Sequence, residues 1–139
     1  VAEIDPSNSI RHAAGLAEVP LPVPVLPETW RPTSADVTAP NDGQQGPVTL
    51  SIGYVSPSEE FARYIVSTDP AAEQITDLLG DADSTGTMRI AGASWEEFTT
   101  GRGEQLLLRT DDDLRIVITG SASQDELRTL AASLAPYTG

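Results

Sequence analysis

The chain has 139 residues, enough to bury one core and too few for two. Its 21 acidic residues face 8 basic ones, all arginine, and a formal charge of −13 repels a phosphate backbone, which argues against nucleic-acid binding. Cysteine is absent, which excludes disulfides, thiolate nucleophiles and zinc-thiolate centres, and the apolar runs are too short to span a bilayer.

The chain starts at Val1 without a methionine or a signal-like segment, as expected of a trimmed or processed form. In "IDPSNSIRHAAGLA", Asp5 reads as a helix N-cap and Pro6 as the first helical residue, where a missing N–H costs nothing. The apolar stripe of that helix (Ile10, Ala13, Ala14, Ala17) is thin, so a short, loosely held helix is expected. "PLPVPVLPETWRP" follows, and its alternating prolines predict an extended strap with Val and Leu laid on the domain surface. Residues 1–32 are therefore expected to form an N-terminal helix and proline-rich strap, and residues 33–139 a single α+β domain.

Thr33 to Thr38 can pair as a strand, and "NDGQQG" reads as a loop. Val48, Leu50, Ile52 and Tyr54 alternate with smaller, mostly polar residues, the period of a half-buried strand. "SPSEEFARYIVS" predicts a helix with Ser56 as cap, Pro57 at its first position and Glu59 closing a capping box, with Phe61, Tyr64 and Ile65 on its inner face. A second helix is expected after Asp69-Pro70, with Ala71, Ile75, Leu78 and Leu79 as its stripe and Gly80 as its end. Four strands follow, "TMRIA", "WEEFTT", "EQLLLRT" and "LRIVITG", with "GRG" and "DDD" as hairpin connections. A three-residue loop at Asp111–Asp113 sets Thr110 opposite Leu114, Leu108 opposite Ile116 and Leu106 opposite Ile118, making one face of the hairpin aliphatic. Ser123 and Glu126 form another capping box for a closing helix striped by Leu127, Leu130, Ala131 and Leu134. The fold class expected is α+β, an antiparallel β-sheet with α-helices packed on one face.

Few residues carry the pattern of a chemical site. Asp111 to Asp113 are neighbours in a turn and point apart, whereas calcium needs about six to eight converging oxygens. Asp81, Asp83, Thr85 and Gly86 fall at the first, third, fifth and sixth places of a calcium loop, but Gly92 stands where the bidentate glutamate belongs. The one histidine, His12, sits on the thin first helix, a poor base for a preorganised triad. Glu96 and Glu97 face opposite ways along a strand and cannot act as a carboxylate pair. No catalytic residue, metal site or cofactor is expected. The register above sets Arg109 directly across from Arg115, an unfavourable pairing unless something negative or aromatic lies between them. With a three-residue "GRG" loop, Trp95 reaches both, and Trp95, Arg109 and Arg115 become a candidate patch for a small anion or acidic partner. The structural alternative is neutralisation of both arginines by Glu97 or the turn aspartates.

"IDPSNSIRHA", "LPETWRPTSA", "GYVSPSEEFA", Trp95 after "IAGAS", "LLRTDD" and "VITGSASQDELRTLAASL" together resemble the actinobacterial domain-of-unknown-function family 4245 over nearly the whole chain. Members of that family often carry an aromatic and a histidine in the strand before the Gly-Tyr-Val motif, where this chain has Leu50, Ser51 and Ile52. The resemblance implies one transmembrane helix upstream of Val1 and a domain on the extracytoplasmic side of the cell membrane. It assigns no activity. The expectation is thus a non-enzymatic, membrane-anchored envelope domain that binds an envelope or membrane protein partner. A lipid or small-molecule carrier with a sheet–helix cavity is the alternative, and a carboxylate enzyme comes third.

Overall fold

The computed structural model describes residues 3–17, 20–39, 45–69, 73–80, 82–101, 103–111 and 114–137. In chain order the described elements are α1 (Ser7–Leu16), β1 (Pro22–Pro24), β2 (Arg31–Thr38), β3 (Thr49–Val55), β4 (Phe61–Ser67), α2 (Glu73–Gly80), β5 (Asp83–Ile90), β6 (Ala93–Thr99), β7 (Gln105–Asp111), β8 (Leu114–Gly120), α3 (Gln124–Ala132) and β9 (Leu134–Pro136). A seven-stranded sheet runs in the order β2-β3-β4-β8-β7-β6-β5, antiparallel throughout, and β1 pairs with β9 as a separate two-stranded clasp.

Because successive side chains on a strand face opposite ways, the register sorts the sheet into two faces. The inner face carries Leu50 and Ile52 of β3, Tyr64 and Val66 of β4, Ile116 and Ile118 of β8, Leu107 of β7 and Trp95 of β6. Against it pack Ala13 and Leu16 of α1, Leu21, Val23 and Trp30 of the strap, and Leu127, Leu130 and Ala131 of α3. The outer face buries a smaller cluster, Ile65, Leu106 and Val117, under Ile75 of α2, with Leu78 and Leu79 beside it. Helices therefore cover both faces, α1 and α3 on one and α2 on the other, which corrects the expected one-sided arrangement. The cause is visible in "QLLLRTD" and "LRIVITG": these strands are apolar at consecutive positions, and a strand with two apolar faces needs a cover on each. β3 is also buried on both faces rather than half-buried, although its outward residues are small and polar: Thr49 bonds Ser67 at 2.8 Å.

The helix expected at "SPSEEFARYIVS" is a hairpin and a strand. Ser56 N–H donates to Glu60 O at 2.8 Å and Glu59 N–H to Ser56 O at 2.9 Å, with Pro57 inside the turn and Glu59 in the left-handed region at φ 65°. Ser56 Oγ accepts the Glu60 N–H at 3.2 Å, so the residues of a capping box close a tight turn instead. Beyond it, Ala62, Tyr64 and Val66 alternate with Phe61, Arg63 and Ile65, so the residues read as one helical face are split between the two sides of the sheet.

The last hairpin is shifted by one residue from the expected register. Asp111 pairs with Leu114, Thr110 with Arg115, Arg109 with Ile116 and Leu107 with Ile118. The connection is thus two residues long, the length whose turns best match sheet twist. Asp112 and Asp113 lie outside the described residues, as do most of "NDGQQG", Pro70–Ala72 and Asp81. At "GRG", Thr100 N–H donates to Glu104 O at 2.8 Å, and Gly103 takes the left-handed conformation at φ 83°.

The N-terminal segment shares the core with the sheet. Ala13 is fully buried, Ile4 N–H donates to Pro32 O at 2.8 Å, and Gly46 N–H donates to the Leu16 carbonyl at 3.0 Å. Trp30 meets Tyr54 edge to face, ring centroids 6.5 Å apart, and the Tyr64 hydroxyl donates to Pro22 O. Leu134 leaves the closing helix for β9, because Pro136 cannot continue a helix and Val23 pairs with Ala135.

Burial pushes the Tyr54 phenol up to about 12, and burial with Tyr54 nearby pushes Tyr64 well above its ordinary value. Below pH 10 both phenols are neutral folded or unfolded, so stability is unaffected. From pH 10 to 12 the unfolded chain ionises while the buried ring of Tyr54 does not, and a two-unit shift removes roughly 3 kcal/mol. Urea midpoints measured from pH 8 to 12 are therefore expected to stay level and then fall steeply above 10, and the fall should be smaller in a Tyr54→Phe variant.

Candidate functional site

The predicted patch does not assemble. Arg109 lies on the inner side of the sheet, opposite Ile116, and binds Asp111 through Nη2 at 2.7 Å and Nε at 2.8 Å. Arg115 lies on the outer side, where Nη2 donates to the Asp69 carbonyl at 3.0 Å. Trp95 is 1% exposed within the inner core, and its Nε1 has no partner among the described residues. A one-residue register shift thus moves the two arginines to opposite faces. Of the calcium-like stretch, Asp83 to Ile90 is a strand paired along β6, and among the described residues no three metal-ligating side chains come together. His12 is exposed on α1, and Glu96 and Glu97 face opposite ways.

A different group gathers at one end of the sheet, where the β3–β4 turn, the β6–β7 turn and the β8–α3 junction meet. Gly120 pairs with both Ala62 and Gln105, so the last residues of β8 lie between the starts of β4 and β7. Phe61 N–H donates to Ser121 Oγ at 3.0 Å, and Ala122 N–H to Phe61 O at 2.9 Å. Ser123 caps α3 by accepting the Glu126 N–H at 3.2 Å. The Glu126 carboxylate also accepts the Ser58 hydroxyl at 2.6 Å, tying the β3–β4 turn to the helix. Desolvation raises the Glu126 pKa, but hydrogen bonds from Ser58, Ser56 and the backbones of Ser58 and Ser123 leave it below its ordinary value. That tie holds at neutral pH and loosens as acid protonates the carboxylate.

Between these turns lies an open hollow of about 450 Å³ lined by Gly103, Glu104, Gln105, Gly120, Ser121, Ala122 and Gln124. Behind it sits Glu97. Its carboxylate accepts Gln124 Nε2 at 3.2 Å, Thr85 Oγ1 at 3.1 Å and Gln105 Nε2. A carboxylate only accepts, so it fixes the amide of Gln105 with nitrogen toward Glu97 and oxygen away. That oxygen, Gln105 Oε1, is buried and has no partner among the described residues. On the outer side of the same end, Phe61 is 39% exposed across Gly53, and the Arg63 guanidinium carbon stands 5.7 Å from its ring centre.

Sequence reasoning missed Gln105, Gln124, Ser121 and Phe61. Glu97 enters that reading only as a partner for Glu96 and as a neutraliser of Arg109 and Arg115, because the approach of α3, which brings Gln124 to it, is not written in the sequence.

Fold and site define a small α+β domain built on a covered antiparallel sheet, with a polar hollow and an exposed aromatic at one end. The chain belongs to the family described as Protein of unknown function (DUF4245), whose model matches residues 1–134. No curated protein and no solved structure matches it.

Proposed function

We propose that this chain is the extracytoplasmic domain of a single-pass, membrane-anchored envelope protein and acts as a non-enzymatic protein-interaction module. Partner contact is assigned to the end of the sheet that carries Phe61 and the hollow. The observation that carries this assignment is Phe61 itself, a solvent-facing aromatic under an arginine, the residue types that dominate interface energetics. Phe61 sits on a rigid hairpin held by Ser121, and Ser58 of the same hairpin is held by Glu126, so little ordering entropy is lost on contact. The anchor is an inference from the family resemblance; no helix among the described residues is long and apolar enough to cross a membrane. A carrier role is less supported: Leu50, Ile52, Tyr64, Ile116, Ile118, Leu127 and Leu130 have zero exposure, so the inner layer offers no water-sized space beside them.

A photo-crosslinking residue in place of Phe61, in the full-length protein in its own envelope, is expected to give a discrete light-dependent protein adduct. Placed at Val25, 66% exposed on the strap, it should give none. Equal adducts at both positions, or none at Phe61, would count against the assignment.

A further inference from the structure

We infer that Phe61 and Arg63 together receive a side-chain carboxylate of the partner, an aspartate or glutamate beside an apolar residue, which deepens the interaction reading above and rests on it. Three arginines are half-buried among the described residues, and two of them have acceptors. Arg109 binds the Asp111 carboxylate, and Arg115 donates to the Asp69 carbonyl. Arg63 makes no hydrogen bond or ion pair with a described residue, and the contact it does make is with the Phe61 ring, 5.7 Å from its centre. A guanidinium carries five donors, and taking it partly out of water without an acceptor is a cost that a partner's acceptor relieves. The register explains why no acid of this chain fills the role. Ser34 pairs with Gly53, Gly53 with Arg63, Arg63 with Thr119 and Thr119 with Leu106, so the outer-face row that passes through Arg63 is otherwise neutral. Along β4 its neighbours on that face are Phe61 and Ile65, and Asp36 of β2 stands opposite Ser51, one row away.

Gly53 positions the pair. A Cβ there would stand 2.6 Å from Ser34 Oγ and 3.3 Å from the Phe61 ring, so its absence lets the ring lie across β3 beside the guanidinium. A carboxylate matches the planar fork of an arginine with two parallel hydrogen bonds, and an apolar residue next to it covers the ring. A fully exposed ion pair contributes little, but the half-burial of Arg63 and its contact with the ring strengthen this one. The charge of −13 opposes an anion at long range, yet salt screens that field over about 8 Å under physiological conditions, and a carboxylate carries less charge than a phosphate group. β4 lies inside the sheet, between β3 and β8, so an extended segment can pass across Arg63, which favours a side-chain carboxylate over a chain terminus.

The test is a nuclear magnetic resonance titration of this chain with three capped dipeptides: acetyl-Leu-Asp-amide, its neutral isostere acetyl-Leu-Asn-amide, and acetyl-Leu-Leu with a free terminal carboxylate. The expected result is saturable shifts of the Arg63 Nε–H, the Phe61 ring and the Gly53 amide with the aspartyl peptide, at least several-fold tighter than with either of the others. Arg63→Gln should weaken binding tenfold or more. Arg63→Lys, which keeps the charge and loses the fork, should weaken it several-fold and covers the case in which the first variant misfolds. An asparaginyl peptide that binds equally well, a terminal carboxylate that binds more tightly, or an affinity unchanged in both variants would overturn the inference, as would the absence of saturable shifts. Failure here with a specific Phe61 adduct retained would remove the carboxylate contact and leave the interaction module; loss of the adduct removes the module itself.

Discussion

Gly120→Ala is expected to abolish or nearly abolish folding. A Cβ at this position would lie 2.2 Å from the Phe61 carbonyl oxygen and 2.9 Å from the Ala62 Cα, and the backbone φ is +143°, a region that side-chain-bearing residues rarely adopt. Both obstacles are main chain in the neighbouring strand, so no side chain can move aside. Relief requires β4 and β8 to separate by roughly an ångström, which breaks hydrogen bonds at the centre of the sheet. The loss should exceed about 3 kcal/mol, the range reserved for core damage and enforced backbone strain. Gly15→Ala is the matched control: it lies in α1 with open space around it, and should stabilise by about 0.5–1 kcal/mol. Urea unfolding of the two variants beside the parent checks both signs. A Gly120→Ala protein with an unchanged midpoint would mean that β4 and β8 are not paired as described.

Trp30→Ala is expected to cost about 3–5 kcal/mol, as for other buried tryptophans cut back to alanine. Trp30 is 5% exposed and fills the space between the strap and Tyr54. Around it the strap is fastened by Val25 N–H to Ser133 O at 3.1 Å and Tyr137 N–H to Leu21 O at 2.9 Å, which lock the two ends of the chain together. Tyr64→Phe removes the donor to the Pro22 carbonyl and should cost about 1–2 kcal/mol more than an exposed Tyr→Phe change. A strap standing free of the domain predicts something quite different, a Trp30→Ala effect within about 0.5 kcal/mol. Thermal unfolding of the single variants separates the two pictures. If the strap is part of the core, a membrane anchor preceding it would hold the sheet close to the bilayer rather than at the end of a stalk.

Several elements are determined by the sequence alone, because their signals are local. Ser123 marks the start of α3, the prolines from Pro20 to Pro32 force an extended path, and the short aliphatic stretches of β7 and β8, bounded by turn residues, read as strands. Whatever depends on alignment between distant segments was decided by tertiary structure. "SPSEE" satisfies a capping box and a hairpin turn equally well, and β4 is a strand because it lies between β3 and β8 with a layer packed on either side. Register is the second such quantity. One residue of difference in the last hairpin sends Arg115 to the outer face, dissolves the expected patch of Trp95, Arg109 and Arg115, and leaves Gln105 on the face it shares with Glu97. Side-chain period fixes which residues share a face within one strand, but only pairing across strands fixes which residues of different strands meet, and a site made of such meetings is written in the fold.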